Sequence, residues 1–189
     1  MPPQRTSLIV GDIHVFVRPL TPPDTEDCYR VSEASCGISI SLEELSTLIR
    51  DNSPTSLGIF TTPPVPPSTR RPPTPSLAPH PEILLGFIIG ETDEGSGEGA
   101  TLKIRGIWVL PEGMEKGVGQ VLLKGWVDRM NDGRVAKRIV KSMNGGLGDG
   151  ERKEEGKEEE MVMEWFRDAG FAVRDDGGQE GFRMVLDCF

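Results

Sequence analysis

The run Lys116-Gly117-Val118-Gly119-Gln120 sets two glycines one residue apart, beside a lysine, where an apolar strand gives way to residues at helical spacing. Residues of these types in this order suit phosphate chemistry. Glycine admits positive φ and close backbone approach, the first turn of a helix carries N–H groups without intrahelical acceptors, and a lysine adds a cation. Two familiar phosphate devices are excluded locally. No Gly-Lys-Ser/Thr ending marks a P-loop, and Leu122 stands where a dinucleotide fingerprint has its third glycine. Glycine at a helix start also serves packing, so the turn needs a fold around it before it means more.

The strand before the turn is TLKIRGIWVL, Thr101 to Leu110. Its apolar alternation runs through Leu102 and Ile104, slips at Gly106, and resumes at Ile107 and Val109, which predicts a β-bulge that splays the strand from a neighbour. After the turn, Val118, Val121, Leu122, Trp126 and Met130 recur at helical spacing. Upstream, IHVFVRPL from Ile13 reads as a strand ended by Pro19. A helix follows, with Thr21 as N-cap, Pro22 at the first position and Asp24 in the first turn. SLEELSTLIRD, Ser41 to Asp51, has a Ser41/Glu44 capping box and places Leu42, Leu45, Leu48 and Ile49 on one face. SLGIFTT (from Ser56) and EILLGFIIGE (from Glu82) are strands, the second apolar enough to lie centrally in a sheet. RVAKRIVKSM, Arg134 to Met143, is another strand, EEMVMEWFRDAG a helix closed by Gly170, and FAVRDD and FRMVLDCF the last two strands.

The order β-α-α-β-β-β-α-β-α-β-β describes one α/β domain with a mixed sheet over residues 1–189. Two excursions interrupt it, both expected to be disordered. Residues 62–82 hold nine of the sixteen prolines, which neither a helix nor a sheet ladder tolerates, and residues 145–158 are glycines and charges that bury nothing. The proline segment carries Thr62-Pro63 and Thr74-Pro75, the pattern of proline-directed phosphorylation, and near-matches to SH3 ligands.

At a net charge of -9 the average surface repels a phosphate backbone, so no nucleic acid is expected; an anionic small molecule would have to be held by backbone N–H groups and a local cation. Cys28, Cys36 and Cys188 are an odd count without C-x-x-C spacing, which argues against a disulfide framework and a zinc site and for reduced thiols in the cytoplasm. No stretch approaches the roughly 20 apolar residues of a membrane span, and no membrane association is expected.

VLPEGMEKGVGQVLL, Val109 to Leu123, resembles motif A of the GCN5-related N-acetyltransferases, whose usual form is V-x-P-E-x-[RQ]-x-x-G-x-G-x-x-L. VFVRPLTPPD resembles that family's first strand and helix start, LLGFIIGE its third strand, and EWFRDAGF its late helix-to-strand signature. The resemblance spans Val15 to Leu186, and the opening segment is most similar to fungal arylalkylamine or polyamine acetyltransferases. It implies an acyl-CoA N-acyltransferase fold with a bulged, splayed central strand, and acetyl-CoA as co-substrate. It further implies that Ile107, Trp108 and Val109 pair with the pantetheine arm, that Met114, Glu115, Lys116, Gly117, Val118, Gly119 and Gln120 cradle the pyrophosphate, and that the acetyl group passes to a small-molecule amine. An acidic surface favours a cationic one.

Two residues depart from the family pattern. Met114 replaces the Arg or Gln that opens the phosphate motif, forfeiting contacts worth about 1.5 to 3 kcal/mol when charge-assisted. Phe166 stands at the position of the tyrosine that protonates the leaving thiolate, and the only tyrosine, Tyr29, lies in the first helix. His14 and His80 lie outside the fourth strand, which offers Lys103 and Arg105. No catalytic residue is assigned. Glu91 and Glu112 read as surface carboxylates before bases, Trp108, Trp126 and Trp165 as core before substrate stackers, and Cys36 as a small buried residue before a nucleophile. These departures leave an alternative open, a degenerate member that keeps the fold as a CoA-binding or regulatory module.

Overall fold

The computed structural model describes residues 6–35, 40–62, 82–93, 101–132, 138–144, 155–174 and 181–187. The elements are β1 (Thr6–Val10), β2 (Ile13–Pro19), α1 (Thr25–Ala34), α2 (Leu42–Asp51), β3 (Ser56–Thr61), β4 (Ile83–Asp93), β5 (Thr101–Val109), the single-turn α3 (Pro111–Met114), α4 (Val118–Asp132), β6 (Arg138–Asn144), α5 (Glu155–Asp168), β7 (Ala172–Arg174) and β8 (Gly181–Asp187). All strands join one sheet of order β1-β2-β3-β4-β5-β6-β8-β7. Neighbours are antiparallel except β5 and β6, which run parallel.

Both faces of the sheet are covered, which is why β4 is apolar on both sides. Ile88 faces a cluster with Leu102, Ile104, Leu122, Trp126, Phe166 and Phe171, and so lies against α4 and α5. Phe87 and Ile89 face a second cluster with Cys28, Val31, Leu45, Ile49 and Trp108, under α1 and α2. Trp126 is buried and donates its indole N–H to the Thr55 carbonyl at 2.7 Å, which fixes α4 against the sheet. Burial pushes the Cys28 thiol up in pKa, as expected for an inert core residue. Among the described residues no helix is long and apolar enough to cross a membrane.

Four features differ from the sequence expectation. β1 is an additional strand: Thr6–Val10 pairs with β2 across a two-residue Gly11-Asp12 turn in which Gly11 has φ 61°. Gly-Asp between apolar residues is a hairpin signal, masked by the shortness of the run before it. The first helix opens with a 3-10 turn at Pro22–Asp24 before α1 proper. In α2, Ser41 accepts the Glu44 N–H at 3.2 Å as its capping box requires, but Leu42 is 46% exposed, so the buried face is Leu45 and Ile49. α5 begins at Glu155, inside the stretch 145–158 expected to be disordered; Glu and Lys are good helix formers, and Trp165 and Phe166 farther along anchor the helix in the core. Residues 63–81 and 145–154 lie outside the described residues, as do Cys36, Thr74, His80 and Cys188.

The start of α1 is tied to the sheet by a charged cluster. Arg18 of β2 donates to both oxygens of Asp24, at 2.8 and 2.7 Å, and to Glu82 at 3.0 Å, while its guanidinium carbon lies 3.8 Å from the Phe60 ring centre. Asp24 also accepts the Thr21 N–H and hydroxyl. Burial alone raises the Asp24 pKa, yet the hydrogen bonds from Arg18 and Thr21 together outweigh it and hold the carboxyl below the usual aspartate value.

A group whose folded pKa is depressed contributes stability that is present above its unfolded value, about 3.9 for aspartate, and lost as pH falls through the folded value. Asp24→Asn is therefore expected to lower unfolding free energy by about 2 kcal/mol at neutral pH, with the gap to the parent closing below about pH 4. Urea titrations of both proteins from pH 3 to 7 measure this, and a gap that did not change with pH would mean that the charge is not what matters.

Candidate active site

The bulge expected at Gly106 is present. In the ladder with β4, Ile89 faces Gly106 and Gly90 faces Ile104, which leaves Arg105 as the extra residue. Leu102 and Ile104 before it, and Ile107 and Val109 after it, consequently share the α4/α5 side, while Trp108 turns to the α1/α2 side. Gly106 matters for space: a Cβ there would come within 2.2 Å of the Trp108 ring, which stacks on Phe87 with centroids 4.7 Å apart.

Beyond the bulge β5 leaves β6. The parallel ladder holds only Thr101 with Arg138, Leu102 with Ile139 and Lys103 with Val140. Ile107, Trp108 and Val109 still pair with Ile88, Phe87 and Gly86 of β4, while among the described residues the ladder to β6 does not extend to them. Alternate N–H and C=O groups of an extended chain point to the edge beyond that ladder, the open edge of β5.

At the end of β5 the chain folds into α3 and then a turn at residues 115–117. The Gly117 N–H donates to Met114 O at 3.1 Å, and the Val121 N–H donates to Gly117 O at 3.2 Å as the first bond of α4. The N–H groups of Val118, Gly119 and Gln120 precede that bond and have no acceptor within the helix. Gly117 has φ 80°, a left-handed conformation that glycine adopts without strain, and a Cβ on it would meet nothing within 4 Å. Gly119 is there for another reason, since a Cβ would come within 2.2 Å of the Trp165 ring. One glycine shapes the turn and the other lets α5 sit against it.

The turn is braced on both sides. Toward α5, Gln120 donates its side-chain amide to Asp168 at 2.8 Å. Toward the β1–β2 hairpin, Lys116 donates to Asp12 at 3.0 Å, which holds the Asp12 carboxyl below its ordinary pKa. Met114 is half-buried against the core, and Glu115 is exposed.

The structure brings Ile107, Trp108, Val109 and Met114 to Gln120 together at one corner, where the open edge of β5 runs into the helix start. The other residues of interest lie elsewhere or are inert. Phe166 is buried, its ring edge-on to Phe171 with centroids 5.0 Å apart, and Trp108, Trp126 and Trp165 are all core. Glu91, Glu112 and His14 are exposed, and Tyr29 bonds to Glu33 within α1. Arg105, pushed out by the bulge, reaches Glu44 of α2 at 3.4 Å. Sequence reasoning missed Asp12, for which the hairpin signal at Gly11-Asp12 was the available clue.

Because the two glycines act differently, they can be separated by substitution. Gly117→Ala is expected to cost about 1 kcal/mol from backbone strain alone. Gly119→Ala should cost about 2 kcal/mol by overpacking, a loss largely relieved in a Trp165→Leu background. Chemical denaturation of the parent and the four variants tests this, and equal costs for Gly119→Ala in both backgrounds would remove Trp165 from the explanation.

No protein-family model matches the sequence, and no curated protein does. Solved structures do match by shape. The GNAT domain of S. lividans PAT superposes with a TM-score of 0.66 at 12% identity, covering 97% of this chain and 96% of that one. Ard1 from Thermoplasma volcanium gives 0.63 at 12% identity over 93% and 98%. Diaminobutyrate acetyltransferase EctA from Paenibacillus lautus, solved with L-2,4-diaminobutyric acid and coenzyme A, gives 0.60 at 12% identity over 93% and 95%. At such identity shape is what is shared, and it is shared along nearly the whole of each chain: this protein has the acyl-CoA N-acyltransferase fold of the GCN5-related N-acetyltransferases.

Proposed function

We propose that the protein is an acetyl-CoA-dependent N-acetyltransferase of the cytoplasm whose acceptor is a small-molecule amine. The observation that carries this reading is the continuity of the end of β5, at Ile107, Trp108 and Val109, where the ladder to β6 has ended, with the N–H groups of Val118, Gly119 and Gln120, which have no acceptor within α4. A pantetheine arm, with its two amides, suits an extended edge that has lost its neighbour, and a pyrophosphate suits a helix start. Met114, Glu115, Lys116 and Gly117 shape the turn that presents these groups, the N–H groups of Met114, Glu115 and Gly117 being taken by the carbonyls of Leu110, Pro111 and Met114. The backbone supplies most of the recognition, since Met114 offers no donor and Lys116 is already paired.

In the reaction the neutral amine nitrogen attacks the thioester carbonyl carbon, the C–N bond forms and the C–S bond breaks. The nitrogen gives up a proton to water and the thiolate takes one from water, leaving an amide and free CoA. Backbone N–H groups at the open edge of β5 polarise the carbonyl, and positioning of the two reactants supplies much of the rate. Phe166 has no proton to give, so solvent closes the proton balance.

A second reading is favoured by that same Phe166: a module that binds CoA without turnover. The two separate by experiment. Acetyl-CoA should raise the melting temperature in a concentration-dependent way under both readings. Only the enzyme releases CoA thiol when amines are added, diaminobutyrate and polyamines being the first to try. No melting shift at millimolar acetyl-CoA would sink both.

Turnover, where found, should rise with pH as the amine loses its proton and then level off, without the descending limb that a protein acid would impose. Initial rates from pH 6 to 10 check this; a bell-shaped profile would point to an acid other than residue 166.

A further inference from the structure

We infer that Asp12 is a built-in competitor of the cofactor's phosphate groups for Lys116, and so sets how tightly acetyl-CoA is held. The inference rests on the cofactor site proposed above. Between Ile107 and Gln120 the sequence has a single cation, Lys116, against Glu112 and Glu115. In the structure that cation is taken: Lys116 Nζ lies 3.0 Å from Asp12 Oδ1.

The pair is not a chance meeting of two mobile chains. Asp12 sits in a two-residue turn between paired strands, and Val10, directly before that turn, is buried in the same cluster as Val118, the first residue of α4. The hairpin is thereby seated on the side of the phosphate turn. A phosphate meeting the N–H groups of Val118, Gly119 and Gln120 must draw Lys116 away from a carboxylate held beside it, or share the lysine with it. Either route weakens binding relative to a site with a free lysine. Both side chains reach solvent, with Asp12 82% exposed and Lys116 39%, so the effect is modest and sensitive to salt.

The test is equilibrium binding of acetyl-CoA to the full chain, to Asp12→Asn, to Lys116→Ala and to the double variant, at about 20 mM and about 500 mM salt. Asp12→Asn should tighten binding about two- to five-fold at low salt, less at high salt, and not at all in the Lys116→Ala background. Asp12→Glu should keep the parent affinity. Asp12→Ser, which also removes the charge and suits a turn, should repeat the Asn result and guards against a folding defect particular to Asn. If the parent binds acetyl-CoA and both neutral variants bind it equally or more weakly, the inference is overturned and the cofactor site stands. If neither the parent nor any variant binds at millimolar acetyl-CoA, the cofactor site itself falls and the inference with it.

Discussion

Strand β5 serves two neighbours on different terms. It pairs with β4 along its length, yet keeps company with β6 only as far as Lys103 and Val140. What drives them apart is the extra residue Arg105, because a bulge bends the strand that carries it. The bend would be costly if it left a void, and it does not. The Trp108 ring folds back over Gly106 and stacks on Phe87, so the α1/α2 face of the sheet stays filled through the bulge. On the other face Ile107 and Val109 take up the line of Leu102 and Ile104. The cleft is thus a consequence of one inserted residue whose packing consequences are absorbed on both sides.

The open edge meets N–H groups of a helix start only because the chain ends β5 by folding straight into one. Gly117 allows that reversal, and the two braces, Gln120 with Asp168 and Lys116 with Asp12, hold α5 and the β1–β2 hairpin against it. The braces take up the side chains of Lys116 and Gln120. The proposed cofactor contacts are thereby left to backbone N–H groups, which an acidic chain can still use to attract an anion. An overall charge of -9 and an anionic co-substrate are therefore compatible, provided the contacts are short-range and made by the main chain.

Much of this was legible in the sequence, and the reasons differ by element. The bulge could be read at Gly106 because the apolar alternation changes phase there, a property of one strand that requires no partner. The helix starts at Thr21, Ser41 and Gly117 were legible because caps and positive φ are local chemistry. The alternation of Ile107 with Val109 and the helical recurrence from Val118 to Met130 were implied by periodicity, and the fold itself by the motif A resemblance. β1 was not legible with the same ease, since Thr6–Val10 is short, with Ile9 67% exposed, and earns its place by pairing with β2. The start of α5 at Glu155 was hidden because composition measures what a segment can bury and says little about a helix anchored farther along. The role of Gly119 was invisible for a third reason: the Trp165 ring that needs the space is distant in sequence.

Phe166 shows a packing role that a position can fill without any chemical one. The Phe171 N–H donates to Phe166 O at 3.0 Å and the Gly170 N–H to Arg167 O at 2.9 Å, the paired bonds of a Schellman cap, with Gly170 at φ 91°. In that motif the residue whose carbonyl is bonded also packs on the residue that bonds it, and the Phe166 and Phe171 rings do so edge to face. The constraint on residue 166 is therefore an aromatic ring that closes α5 and turns the chain into β7. A hydroxyl on that ring is a separable addition, useful for protonating a thiolate and irrelevant to the cap. This chain keeps the ring without the hydroxyl. The helix ending is preserved, and in the reaction proposed above proton transfer is left to solvent.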